Sequence, residues 1–257
     1  MDTLVKEHKL GFWDIFLLGW RVLFFKATDI SLIALFAIVP LGLILALLSG
    51  NSLTEELRTS DLSISLFLVL LLLQAFSSLM FSMSLVVITE KVVEGQGITW
   101  SRAMKYALSK LGSVFTTSIL MYLILIGLSL LFVIPGVIYS VHYNFALFVV
   151  VLKNKNGMEA LAYSKKLVEG QWWRVFATLL GFGAINTIVG AVLNLFSSSP
   201  FFVILAIIIS ALFTIVSSTG MVILFLNSDF LYQRRLSKRI EMQKARKAKI
   251  ASRSRHG

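Results

Sequence analysis

Long apolar runs, interrupted by few ionisable residues, restrict the fold of this chain more than any other feature. An α-helix needs about 20 apolar residues to cross the ~30 Å hydrocarbon layer of a bilayer, and it satisfies its own backbone hydrogen bonds there. Of the 257 residues, 57% are hydrophobic and only 14% are charged, whereas charged residues make up about a quarter of a soluble domain. The sequence therefore predicts an all-α, polytopic transmembrane helical bundle.

Six apolar stretches are candidate spans, and the fourth is the shortest, with 16 residues. They cover residues 30–49, 62–89, 111–134, 137–152, 173–196 and 201–227. A single helix over residues 111–152 would be about twice as long as the membrane core is thick, so Pro135–Gly136 is predicted to separate two spans. The chain accordingly divides into a six-span transmembrane domain, residues 1–232, and a basic tail, residues 233–257.

Lys and Arg are distributed unevenly among the loops. The first 29 residues hold four, the 90–110 loop four, the 153–174 loop five and the tail ten, whereas the opposite side holds only Arg58. Basic residues are retained in cytoplasmic loops. The charge distribution therefore predicts six crossings with both termini in the cytoplasm.

A threefold pattern is visible along the chain. A segment of mixed polarity that begins near a glycine precedes each predicted helix pair, at residues 11–28, 97–110 and 157–171. Such segments are typical of helices that lie in the membrane interface. We therefore expect three transmembrane hairpins, each preceded by an interfacial amphipathic helix.

Polar uncharged residues within the predicted spans have two interpretations. Hydrogen bonding between packed helices is the ordinary one, and a polar groove around His142 and Asn144 that admits a lipid headgroup or a small solute is the other. The candidate groove residues are Gln74, Tyr139, His142, Tyr143, Asn144 and Asn186. Glycines 181, 183 and 190 likewise indicate either close helix contact or a flexible element.

The sequence contains no motif typical of an active site. The chain has no cysteine and no HExxH motif, and the centres of its apolar stretches hold no Asp, Glu, Lys or Arg. Proton relays and ion-coupled transporters place ionisable groups at membrane depth, so this pattern disfavours them. Glu90 and Glu94 are interpreted as a solvated helix face. We therefore expect no catalytic, cofactor or metal site and a protein that is not an enzyme.

The basic tail allows three interpretations: a solvated segment that fixes orientation, an attachment to anionic lipid, and a contact with RNA or an acidic protein. Juxtamembrane cations each contribute about 1 kcal/mol near an anionic surface. The tail lacks the aromatic residues that stack on bases, which disfavours nucleic acid. The candidate lipid contacts are Arg234, Arg235, Lys238, Arg239, Lys244, Arg246, Lys247 and Lys249.

One stretch has a familiar pattern. It comprises Ile134–Pro135–Gly136, then Tyr139, Tyr143 and Ala146, then Ala160–Leu161, Ser164, Leu167, Gly170 and Trp172–Trp173–Arg174. This pattern resembles the membrane domain associated with bacterial glycerophosphoryl diester phosphodiesterases and its stand-alone relatives of unknown function. The resemblance implies a helical membrane module without activity of its own, because the phosphodiesterase chemistry of that family belongs to a separate metal-dependent barrel domain.

Together these features favour a non-enzymatic protein of the bacterial inner membrane that acts through lipid or protein-partner contacts. Envelope maintenance and service as the membrane subunit of a complex are both compatible with the pattern. The alternative is a transporter or permease subunit for a small solute or lipid, for which an ATPase would be the expected partner.

Overall fold

A computed structural model describes residues 5, 9–35, 61–195 and 200–253 of the chain. These residues form helices, turns and short connections, and no strand occurs among them. The helices are α1 (Phe12–Phe25), α2 (Asp61–Val93), α3 (Trp100–Leu131), α4 (Val133–Tyr143), α5 (Ala146–Lys153), α6 (Gly157–Val168), α7 (Trp172–Leu195) and α8 (Pro200–Arg253). A further helical segment at residues 27–35 follows a turn at Lys26.

Five segments of the described chain are long and apolar enough to cross a membrane. They are Ser65–Val93, Trp100–Leu130, Val133–Lys153, Trp172–Leu193 and Leu205–Lys247. Each overlaps one of the last five predicted spans, so the prediction of a helical, membrane-spanning architecture is confirmed at this level. The first predicted span, residues 30–49, lies outside the described residues beyond residue 35.

The interfacial segment predicted at residues 97–110 is not a separate helix, so this part of the prediction is wrong. Helix α3 begins at Trp100 and continues without a break to Leu131. The stretch around residue 110 contains no proline and no turn-forming cluster, so nothing there interrupts the hydrogen-bond ladder. The other two such segments do form separate helices, α1 and α6.

The break between the third and fourth predicted spans lies three residues earlier than expected. Phe132 adopts an extended conformation with φ −158° and ψ 139°, and α4 begins at Val133. Pro135 therefore lies in the first turn of α4, where an amide proton would have no partner within the helix. A second break at residues 144–145 separates α4 from α5. Ser164 of α6 spans it, since its hydroxyl donates to the His142 carbonyl (2.6 Å) and accepts from the Phe145 amide (3.2 Å).

Helix α8 is the centre of the packing and contacts α1, α2, α6 and α7. Its residues from Val222 to Phe225 are almost completely buried. The ring of Phe225 packs against Phe145 and Phe148 at 5.7 and 5.8 Å between centroids. By contrast, the outer faces of α2, α3 and α7 expose large apolar side chains, including Leu72, Phe115, Leu123, Ile126, Leu180 and Ile188. Such an apolar exterior suits contact with lipid.

The crossing of α1 and α8 depends on two glycines. A β-carbon at Gly19 would lie 2.8 Å from the carbonyl oxygen of Val216, and one at Gly220 would lie 2.5 Å from the ring of Phe182 of α7 and 3.2 Å from the side chain of Ile15 of α1. All three distances are shorter than ordinary van der Waals contact. The absence of a side chain at these positions therefore lets α1 and the Phe182 ring of α7 pack directly on α8, with Ile15 and Val22 fully buried beside it.

Candidate functional site

The long helix α8 changes character along its length. Its 54 residues correspond to about 80 Å at 1.5 Å per residue. Buried and partly buried positions extend to about residue 232, and residues 233–247 are exposed on all sides. No proline or glycine follows Gly220 within α8, which leaves no common cause for a sharp kink. The described part of the predicted basic tail is thus a direct continuation of the last apolar segment.

A network of polar side chains holds α8 where it leaves the bundle. Asp229, which is 7% exposed, forms an ion pair with Lys153 of α5 at 2.7 Å and accepts a hydrogen bond from the Tyr163 hydroxyl of α6 at 2.5 Å. Gln233 donates to the same hydroxyl at 2.8 Å. Burial, and then the hydrogen bond to Asp229, raises the pKa of Tyr163. These groups satisfy one another and connect three helices, so we assign them a structural role.

Arg174 of α7 connects the N-terminal segment to the same end of the bundle. Its guanidinium donates to the Leu10 carbonyl at 2.8 and 3.2 Å, to the Asn227 side-chain oxygen at 2.7 Å and to the Gln171 side-chain oxygen at 3.1 Å. Asn227 in turn donates to the carbonyl of Val5 at 2.7 Å. Among the described residues, Arg174 is therefore a half-buried cation whose partners are neutral oxygens.

A cavity that we call the basic pocket lies between the end of α6 and the first exposed turns of α8. It has a volume of about 280 Å³ and is lined by Lys166, Glu169, Tyr232, Arg235, Leu236 and Arg239. Sequence analysis selected Arg235 and Arg239 as anionic-lipid contacts but missed Lys166. The sequence does contain one indication: Lys166 lies in the 153–174 loop, which the charge distribution places on the same side of the membrane as the basic tail.

The structure does not bring His142 and Asn144 into one groove. His142 lies in an apolar groove of about 580 Å³ with Trp172, Trp173 and four aliphatic residues of α4, and its Nδ1 is 2.8 Å from the Ile138 carbonyl. Asn144 lines a separate cavity of about 170 Å³ between α2 and α8. The two side chains therefore face different surroundings.

The remaining groove candidates lie apart from these two cavities. Asn186 donates to the Ser217 hydroxyl of α8 at 2.8 Å, so it makes the helix-to-helix bond that the packing interpretation expects. The rings of Tyr139 and Tyr143 contact each other within α4 in a tilted arrangement, with 5.6 Å between their centroids. Gln74 donates to Ser78 one turn further along α2 at 2.9 Å, and its buried side-chain oxygen has no hydrogen-bond partner among the described residues.

The three glycines of α7 are not equivalent. A β-carbon at Gly181 would lie 2.6 Å from the ring of Phe12, whereas one at Gly183 or Gly190 would meet no atom of the described residues within 4 Å. Gly181 therefore allows close contact with α1.

In the part of the chain that the structure describes, the fold is all-helical, with five segments long and apolar enough to cross a membrane and a strongly basic helix at one end. The chain belongs to the family described as a domain of unknown function, DUF7847, whose model matches residues 97–230. No curated protein and no solved structure matches the chain. The matched region includes Asp229, Lys153 and Tyr163, and it ends before Arg235 and Arg239.

Proposed function

We propose that this protein is a non-enzymatic integral protein of the bacterial inner membrane that acts through contacts with anionic lipid or a protein partner at its cytoplasmic face. The observation that carries this proposal is the continuity of α8. A helix that leaves the bundle without a break brings its first cationic turns to the level of the headgroups and carries the later ones away from them.

The proposed topology has six spans with both termini in the cytoplasm. The cations of the chain support it, because all but Arg58 fall on one side under this arrangement. The resemblance to the membrane module of glycerophosphoryl diester phosphodiesterases is consistent with a helical unit that has no reaction of its own. The separate helices α1 and α6 fit the interfacial positions proposed for the first and third repeats.

The geometry of α8 divides its cations into two groups. The proximal group is Arg234, Arg235, Lys238 and Arg239, and the distal group is Lys244, Arg246, Lys247 and Lys249. The centres of the groups are ten residues apart, which is about 15 Å along a helix, and electrostatic attraction between exposed charges is screened over about 8 Å at physiological salt. If α8 leaves the membrane steeply, the proximal group contacts lipid and the distal group is available to a partner.

A matched pair of variants tests this division. All four proximal cations are replaced by Gln in one variant and all four distal cations in the other, so both lose the same charge. The full chain is placed in nanodiscs that contain phosphatidylcholine with and without phosphatidylglycerol, and enrichment of the anionic lipid around the protein is measured. We expect the proximal variant to lose most of the enrichment and the distal variant to retain it. Equal enrichment in both variants and the unaltered chain would contradict the proposed lipid contact.

The proposed topology is tested by single cysteines at positions 56, 155 and 245. The chain contains no cysteine of its own, so each introduced thiol reports alone. In intact cells, a membrane-impermeant thiol reagent should label position 56 only. Labelling at position 155 or 245 from outside would refute the proposed orientation.

The small cavity beside Asn144 favours a second candidate function, a transporter or permease subunit. Ser82 of α2 and Ser218 of α8 also line this cavity, so three polar side chains meet among membrane helices. Solute flux through reconstituted protein that Asn144→Leu abolishes and His142→Leu leaves intact would support this alternative. Absence of flux in proteoliposomes of the unaltered chain would count against it.

A further inference from the structure

We infer that the basic pocket is a binding site for a single phosphate group, carried either by a lipid headgroup or by a small soluble phosphate ester. This inference deepens the proposed function and rests on it for the lipid source. It differs from general attraction to an anionic surface because it assigns the contact to one set of side chains from two helices.

The charge of the pocket favours an anion. Three cations, Lys166, Arg235 and Arg239, line it together with one carboxylate, Glu169. Within the described part of the chain, none of these four groups takes part in an ion pair. The three cations outnumber the one carboxylate, so the pocket is positively charged and a bound anion would relieve the mutual repulsion of the cations.

The chemistry of the lining groups matches phosphate. Arginine presents a planar fork of donors that binds two phosphate oxygens at once. Arg235 donates through Nε to the Leu231 carbonyl of its own helix at 3.2 Å. That bond fixes the side chain and leaves its terminal nitrogens for another acceptor. Lys166 approaches from α6 and adds a charge that α8 alone does not supply.

The size and position of the pocket suit a headgroup. Its volume of about 280 Å³ is near the lower end, about 300 Å³, of the range for small-molecule sites. A phosphate with its glycerol or a similar group therefore fits, whereas acyl chains would have to remain outside. The turn that carries Glu169 directly precedes Trp172 and Trp173, and tryptophan is enriched at the level of the headgroups.

The chain offers a matched control, because each pocket cation is preceded directly in the sequence by another cation that can be replaced instead. The pocket variant is K166Q/R235Q/R239Q, and the control variant is K165Q/R234Q/K238Q. Both lose three positive charges from the same two helices, but none of the three control residues lines the pocket. A charge effect alone would therefore affect both variants equally.

The experiment has two arms. In the first, native mass spectrometry counts the phosphatidic acid that the full chain retains from nanodiscs of phosphatidylcholine and phosphatidic acid. In the second, calorimetry measures the binding of glycerol 3-phosphate to the full chain in phosphatidylcholine nanodiscs. We expect the pocket variant to lose at least about tenfold in affinity in the arm that reports binding, since each lost contact is a hydrogen bond to a charged group. The control variant should lose clearly less, because Arg234 and Lys238 contribute only general attraction to an anionic surface.

The outcomes separate the pocket from the proposed function. Equal losses in the two variants would overturn the pocket and leave general lipid contact intact. Pocket-dependent binding of glycerol 3-phosphate without retention of phosphatidic acid would support the pocket and contradict its lipid source. No binding in either arm by the unaltered chain would overturn the inference. If the triple variant does not fold, Arg239→Gln compared with Lys238→Gln repeats the test with one charge.

Discussion

The α1–α8 crossing gives a quantitative test of the structure through Gly19→Ala. The added methyl would lie 2.8 Å from the Val216 carbonyl oxygen and 3.2 Å from its Cγ1, so α1 would have to move away from backbone that cannot yield easily. Overpacking of this kind costs about 1–3 kcal/mol. Replacing a glycine within a helix by alanine gains about 1 kcal/mol from helix propensity. The net loss of stability is therefore up to about 2 kcal/mol.

Gly183→Ala is the matched control because it makes the same chemical change in a helix where the new methyl meets no atom of the described residues within 4 Å. Both variants gain the same propensity term, so the difference between them isolates the steric cost of about 1–3 kcal/mol. Equilibrium unfolding of the full chain in mixed detergent micelles measures both free energies. Equal stability of the two variants would show that α1 does not approach α8 as closely as the structure indicates.

Three further predictions concern the polar network at the end of the bundle. Arg174→Lys should destabilise the chain by about 1–3 kcal/mol, because one ammonium cannot replace the guanidinium fork. Limited proteolysis measures this loss, and cleavage near the N-terminus should be faster in Arg174→Lys than in the control variant Arg102→Lys. Asp229→Asn should cost about 1–3 kcal/mol in unfolding experiments, because it leaves the ammonium of Lys153 without its carboxylate, a loss that partial exposure to solvent moderates. The pKa of Tyr163 is raised above its ordinary value of 10.0 by burial and by the hydrogen bond to Asp229, so the stability that depends on its protonated hydroxyl should be complete below pH 10 and decline as the pH rises further. Tyr163→Phe should reduce the loss of thermal stability measured across alkaline pH, and a loss equal to that of the unaltered chain would refute the assignment.

The helical, membrane-spanning architecture could be predicted from the sequence because it depends on local properties. The bilayer acts on each stretch of about 20 residues separately, so length and apolar composition suffice to identify a span. The helix ends were less accurate. Pro135 was expected to end a helix and instead lies in the first turn of the next one, since proline is tolerated there as well as after a helix end.

The candidate site was predicted only in part, because it depends on contacts between residues that are distant in sequence. The basic residues of the tail are visible in the sequence as a charged run, but Lys166 and Arg235 are 69 positions apart, and only the packing of α6 on α8 places them around one cavity. Asp229 and Tyr163 are likewise distant in sequence and meet through the fold at 2.5 Å. No local pattern identified either pair.

The sequence by itself determined that this chain is helical, that several of its helices can span a membrane, and where its positive charge is concentrated. Only the tertiary structure decided that α8 continues unbroken through the basic segment, that Gly19 and Gly220 allow a close crossing, and that His142 and Asn144 face different cavities. The hydrophobicity and the charge of a segment determine whether it is more stable in lipid or in water, and both can be read from that segment alone. Contacts between helices depend instead on the shapes of surfaces that are assembled from distant parts of the chain.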